Sequence, residues 1–116
     1  MRFASLGSGS RGNSLLVESA ATRLLIDAGF GPRETLRRLG RLGIVADDVS
    51  AILITHEHTD HIGGAFACAG RFGWQVLLTA GSLYASGRSE PGSGITLIDS
   101  HEAFAYRDIQ VQPFPV

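Results

Sequence analysis

Lysine is absent from the sequence: all ten basic residues are arginine. A Walker-type phosphate loop, which places a lysine on the phosphates, is therefore excluded. Cysteine occurs once, at Cys68, so no intrachain disulfide can form and a cross-linked secreted scaffold is not indicated. Flanked by Ala65, Ala67 and Ala69, Cys68 reads as a small core residue rather than a redox or catalytic thiol. No apolar run approaches the length of a membrane span, and Met1–Ser5 lacks the apolar centre of a leader. The expectation is a soluble protein of the reducing cytoplasm, with no membrane partner. Excess charge of either sign is also missing. Eleven acids against ten arginines leave a net charge of −1, so contact with nucleic acid would have to come from a local patch.

At 116 residues the chain fits one small domain, and 44% hydrophobic with 18% charged residues is ordinary globular usage. Glycine is abundant, at 15 residues, which predicts many tight turns. Arg2–Leu6, Asn13–Glu18 and Thr22–Ile26 read as the strands of a β-meander. A helix follows: Pro32 suits its first turn, Glu34 lies near its start, and Leu36, Leu39 and Leu42 repeat on one side before Gly43. Arg33, Arg37, Arg38 and Arg41 form its other, solvated face. Val49–Thr55 is a near-continuous apolar run of the kind buried on both sides of a sheet. Gly63–Phe72 predicts a helix of small residues, Gln75–Thr79 a buried strand, Ser82–Ser86 a short turn or helix, and Arg88–Gly94 a loop. Ile95–Ile98, Ala103–Tyr106 and Ile109–Phe114 complete the strands, the last two joined at Arg107-Asp108. No repeat or linker divides the chain.

Chemistry concentrates in Thr55-His56-Glu57-His58-Thr59-Asp60-His61, where three of the four histidines fall within six residues among carboxylates. Imidazole nitrogen and carboxylate oxygen suit zinc and neighbouring transition metals, and each ion needs about four donors. His56 and His58, two apart in an extended segment, can address one ion. Asp60 and His61, as the chain turns, can face a second a few ångströms away, a separation at which two metals share a nucleophilic water. Glu57 and Thr59 point elsewhere, and Glu57 reads as a solvent-facing or supporting residue.

His56-x-His58-x-Asp60-His61 after an apolar strand, followed by Ile62-Gly63-Gly64, resembles the signature of the metallo-β-lactamase superfamily. Leu24-Leu25-Ile26-Asp27-Ala28-Gly29 is similar to that superfamily's earlier motif, whose aspartate supports the metal loop from behind. The opening Ser5-Leu6-Gly7-Ser8-Gly9-Ser10-Arg11-Gly12-Asn13-Ser14, taken with the histidine motif, further resembles the WalJ/YycJ-like branch, associated with bacterial 5′-to-3′ DNA exonucleases. The resemblance implies an α/β (α+β) fold, the N-terminal half of an αββα sandwich with a mixed sheet flanked by helices. It also implies two divalent ions, Zn²⁺ by default with Mn²⁺ as the alternative. His56 and His58 would hold the first, Asp60 and His61 the second, with Asp27 behind them. Asp60 would also orient the attacking hydroxide, and DNA would be the substrate. Hydrolysis of a small ester, thioester or lactam is the alternative within the superfamily.

The resemblance also calls for a third histidine on the first ion, a bridging aspartate and a further histidine on the second, all downstream. After His61 there is only His101, which sits in the polar turn Asp99-Ser100-His101-Glu102 and reads as a turn residue. Ile109–Val116 resembles the strand leading into the next metal histidine. Residues 1–116 are thus expected to be the N-terminal part of one such domain, poor at holding metal and inactive by themselves. A dinucleotide-binding reading competes on Gly7, Gly9 and Gly12, which satisfy G-x-G-x-x-G, with Asp27 downstream. It fails on spacing, because the stretch between Gly12 and Arg23 is too short for a crossover helix and its return.

Overall fold

The computed structural model describes residues 1–88 and 92–114. Among these described residues, eight strands and four α-helices follow in the order β1 (Arg2–Gly7), β2 (Ser14–Glu18), β3 (Arg23–Ile26), α1 (Pro32–Gly40), β4 (Ala51–Leu53), α2 (Thr59–Ile62), α3 (Ala65–Phe72), β5 (Gln75–Leu78), α4 (Ala80–Ala85), β6 (Ile95–Leu97), β7 (Phe104–Tyr106) and β8 (Ile109–Val111). A 3₁₀ turn at Ala46–Asp48 leads into β4.

Six strands form one mixed sheet in sequence order. β1, β2 and β3 run antiparallel, and β3, β4, β5 and β6 run parallel. The antiparallel pairing of β1 with β2 removes the dinucleotide reading, since the glycine loop between them closes a hairpin instead of opening a crossover helix. The central parallel strands β3, β4 and β5 read as apolar runs because elements pack on both of their faces, whereas Thr96 and Leu97 of β6 are exposed. On one face Leu16, Leu25, Ile52, Val76 and Leu78 pack with Leu39 of α1 and Cys68 of α3. On the other, Val17, Leu24, Ala51 and Leu77 meet Ile109 of the β7–β8 hairpin.

Several elements end earlier or later than expected, each for a local reason. The meander strands begin at Ser14 and Arg23 and the first extends to Gly7. β4 keeps only Ala51–Leu53 of the Val49–Thr55 run: Val49 follows the 3₁₀ turn, and the backbone N–H of Thr55 leaves the sheet for the Asp27 carboxylate. The expected helix Gly63–Phe72 is broken at Gly63-Gly64, because Gly64 donates to Ala28 O and lies against the Phe30 backbone. A Cβ on Gly64 would stand 1.7 Å from Phe30 O. α4 starts at Ala80, before Ser82, because the Thr79 side chain caps it by accepting from the Ser82 N–H at 3.1 Å. β5, β6, β7 and β8 are each shorter than their apolar runs. The Ser89–Pro91 part of the expected loop, and Pro115 and Val116 of the last expected strand, lie outside the described residues.

In α1, Pro32 takes the first turn and Thr35 and Leu39 are buried, but the helix stops at Gly40 and leaves Leu42 exposed. Its arginine face is only partly solvated. Arg33, Arg37 and Arg41 are exposed, whereas Arg38 is half-buried, stacks 4.0 Å over the Phe30 ring and donates to Leu6 O. Phe30 lies across the glycines of the β1–β2 loop, so this stack ties α1 to the loop that borders the histidine motif.

Candidate metal centre

Asp27 follows β3 directly and Thr55-His56 follow β4, so neighbouring parallel strands deliver them to the same end of the sheet. Such carboxyl-end crevices are where open α/β sheets place ligands. Asp27 is 5% exposed and has φ 65°, a left-handed conformation that Asp tolerates better than most residues. It is fully tied down: its N–H donates to Leu53 O at 2.8 Å, and its carbonyl accepts from Ser14 Oγ at 2.9 Å. Oδ1 accepts from the Thr55 N–H at 2.8 Å, and both carboxylate oxygens lie within 2.9 Å of Thr55 Oγ1.

This one carboxylate orients two imidazoles. His61 Nδ1 lies 2.6 Å from Asp27 Oδ2. His56 Nδ1 lies 2.9 Å from Thr55 Oγ1, whose own proton is directed to Asp27. Placing the proton of each ring on Nδ1 satisfies every one of these contacts and leaves Nε2 of both rings as a free lone pair, the arrangement by which carboxylates prepare histidines for a metal.

Asp27, His56 and His61 each offer a donor atom, all within 4.8 Å of one another, and form a candidate metal site. The His56 and His61 rings are 3.9 Å apart between centroids, and His58 meets His56 edge-on at 4.7 Å. Asp60 Oδ2 is 3.5 Å from His61 Nε2. Two imidazoles and a carboxylate with donor atoms this close suit a divalent cation, and this donor set fits one. Of the sequence motif, His56 and His61 fall in this group with Asp27, while His58 and Asp60 lie beside it and outside it, and His56 stands nearer to His61 than to His58. Glu57 is exposed and faces away, its Oε2 accepting from Ser82 Oγ at 3.5 Å. His101 is exposed in the turn before β7 and belongs to no such group among the described residues.

Two residues that sequence reasoning passed over take part. Thr55 transmits the Asp27 contact to His56. Asn13 reaches in from the glycine loop, its Nδ2 donating to Asp60 Oδ2 at 2.8 Å. Thr55 was flagged only by its place just before the first histidine, and Asn13 only by its place in the glycine-rich opening.

A family model described as the metallo-beta-lactamase superfamily matches residues 7–114. The chain belongs to the metallo-β-lactamase superfamily. Within it, the chain is 39% identical over 75 residues to an exodeoxyribonuclease, WalJ, of Streptococcus pneumoniae serotype 2, an alignment covering 65% of the chain and 28% of that protein. It is 40% identical over 72 residues to the exodeoxyribonuclease YycJ of Bacillus anthracis, covering 62% of the chain and 27% of that protein. The solved structure of Rm3 metallo-beta-lactamase superposes with a TM-score of 0.73 at 25% identity, covering 95% of the chain and 47% of that structure. The chain thus matches about half the length of this superfamily structure and little over a quarter of the two exonucleases. No helix among the described residues is long and apolar enough to cross a membrane.

Proposed function

We propose that this protein is a dinuclear metallohydrolase of the superfamily acting on the phosphodiester bonds of DNA as a 5′-to-3′ exonuclease. The bracing of His56 and His61 by a single buried carboxylate carries the metal part of this reading: rings held with Nε2 free are built to bind an ion. The similarity to two proteins named as exodeoxyribonucleases supports the substrate class.

In this reading His56 and His58 hold one ion and Asp60 and His61 the other. Two bound divalent ions, Zn²⁺ or Mn²⁺, supply a water nucleophile at neutral pH and offset charge on the reacting phosphate oxygens. Asp27 keeps His61 in one tautomer and one orientation, and through Thr55 does the same for His56. Asp60, half-buried beside His61 and held by Asn13, would orient the attacking water.

The test is His58→Ala in the protein at its full natural length. Bound metal, measured by mass spectrometry, is expected to drop together with degradation of 5′-labelled single- and double-stranded DNA. Undiminished degradation by the metal-analysed variant would overturn the mechanism, and turnover of a chromogenic lactam or thioester with inert DNA would overturn the substrate class.

A further inference from the structure

The loop from Gly7 to Asn13 is held shut by one side chain. Asn13 Oδ1 accepts from the Gly9 N–H at 3.1 Å, and Asn13 Nδ2 donates to Gly9 O at 2.8 Å. The same amide also reaches the histidine motif, with Nδ2 2.8 Å from Asp60 Oδ2 and 3.3 Å from Asp60 O. The Asn13 backbone closes the joint: its N–H donates to Asp60 O at 2.6 Å, and its carbonyl accepts from the Gly29 N–H at 3.0 Å. The three segments meet without slack, since a Cβ on Gly29 would stand 2.0 Å from Asp60 O.

Asn13 is neutral and contributes an N–H where a charged or hydroxyl side chain could also have closed a glycine loop. Asp60 Oδ2 faces His61 Nε2 at 3.5 Å on its other side. A carboxylate in that position rotates freely about its last torsion unless something holds it. Donation from an amide fixes the plane without neutralising the charge that a cation requires, as a lysine or arginine would.

We propose that Asn13 is a positioning residue for Asp60: its side-chain amide sets the orientation of the Asp60 carboxylate toward the ion shared with His61, and couples that orientation to the closed state of the Gly7–Asn13 loop. This rests on the reading of Asp60 as a metal ligand.

Two substitutions test the amide donor. Asn13→Ala removes both side-chain functions. Asn13→Asp keeps an acceptor for the Gly9 N–H and the backbone joint, but loses the donor to Asp60 and to Gly9 O and sets a second carboxylate beside Asp60. Co²⁺ alone, titrated into the full-length metal-free protein and followed by its visible absorption and by calorimetry, is the probe, with thermal melting as the check on folding. Both variants are expected to weaken the Co²⁺ event assigned to Asp60 and His61 by about 10–100-fold. The event assigned to His56 and His58 should move by less than about threefold. Either folded variant binding Co²⁺ in that event as tightly as the wild type, or more tightly, overturns the proposal, because the amide donor to Asp60 is then not needed. Should Asn13→Ala fail to fold, Asn13→Asp decides on its own. Asp60→Ala is the companion: if it leaves both Co²⁺ events intact, the ligand reading itself fails, whereas its loss of one event beside an unaffected Asn13→Asp overturns only the role given to Asn13.

Discussion

Gly64 and Cys68 show how single residues in the motif region are constrained. A methyl group on Gly64 would collide with the Phe30 carbonyl at 1.7 Å, a backbone atom that cannot swing aside. Gly64→Ala is expected to destabilise the protein by about 1–3 kcal/mol or more, as overpacking does. Gly31→Ala, with open space around it at the start of α1, should change stability little. Urea unfolding of the pair measures the contrast. Cys68 is fully buried, and burial pushes its thiol above the usual range, against a smaller opposing pull from the Thr35 hydroxyl. It should react with a thiol reagent at neutral pH only once the protein is unfolded, and rapid modification of the folded protein would contradict this. At this scale much was legible in the sequence. The spacing of His56, His58, Asp60 and His61 points to a metal without knowledge of the fold. Thr55 and Asn13 were hidden because Thr and Asn carry no ligand chemistry that stands out; their value is a hydrogen bond across 28 or 47 residues, which only the fold supplies.

Among the elements, α1 offers the clearest pH response. Hydrogen bonds first from Arg37 and then from Arg38 hold Glu34 ionised down to a pKa of about 2, against an ordinary value of 4.5. Because the folded pKa lies below the unfolded one, the contribution is complete above about pH 4.5 and fades as pH falls toward about 2. The group is solvent-exposed, so the effect should be small and screened by salt. Comparing Glu34→Gln with wild type by thermal melting should give a modest difference at pH 6 that disappears near pH 2; an unchanged difference across that range would show the pairs contribute nothing specific. Element type was readable from periodicity, while boundaries were not. β4 ends at Leu53 although its apolar run continues, because the next backbone N–H is claimed by Asp27. The Gly63–Phe72 helix breaks because a neighbouring segment passes within contact distance. Both endings are set by partners distant in sequence.

The whole molecule is built unevenly. One face of the mixed sheet carries α1 and α3, and the other, among the described residues, meets the short β7–β8 hairpin, with Leu15, Ile26 and Leu53 only partly buried there. Residues 1–116 prepared by themselves are therefore expected to associate with rising concentration, as judged by light scattering, and to lack a sharp melting transition. A monomeric sample with one cooperative transition would contradict that expectation. The mixed α/β architecture and the meander were legible from the strand and helix patterns; the allocation of cover between the two faces was not, because it depends on where the last hairpin lands.

The Asn13–Asp60 bond joins the first hairpin to a motif 47 positions later, and the Asp27 contacts to Thr55 and His61 span 28 and 34 positions. None of them is local, so the aim of the carboxylate and of the histidines depends on the same docking of the hairpin and the parallel strands. A cation would therefore meet His56, His61 and Asp60 already oriented by the fold, and these side chains should not have to turn to receive it.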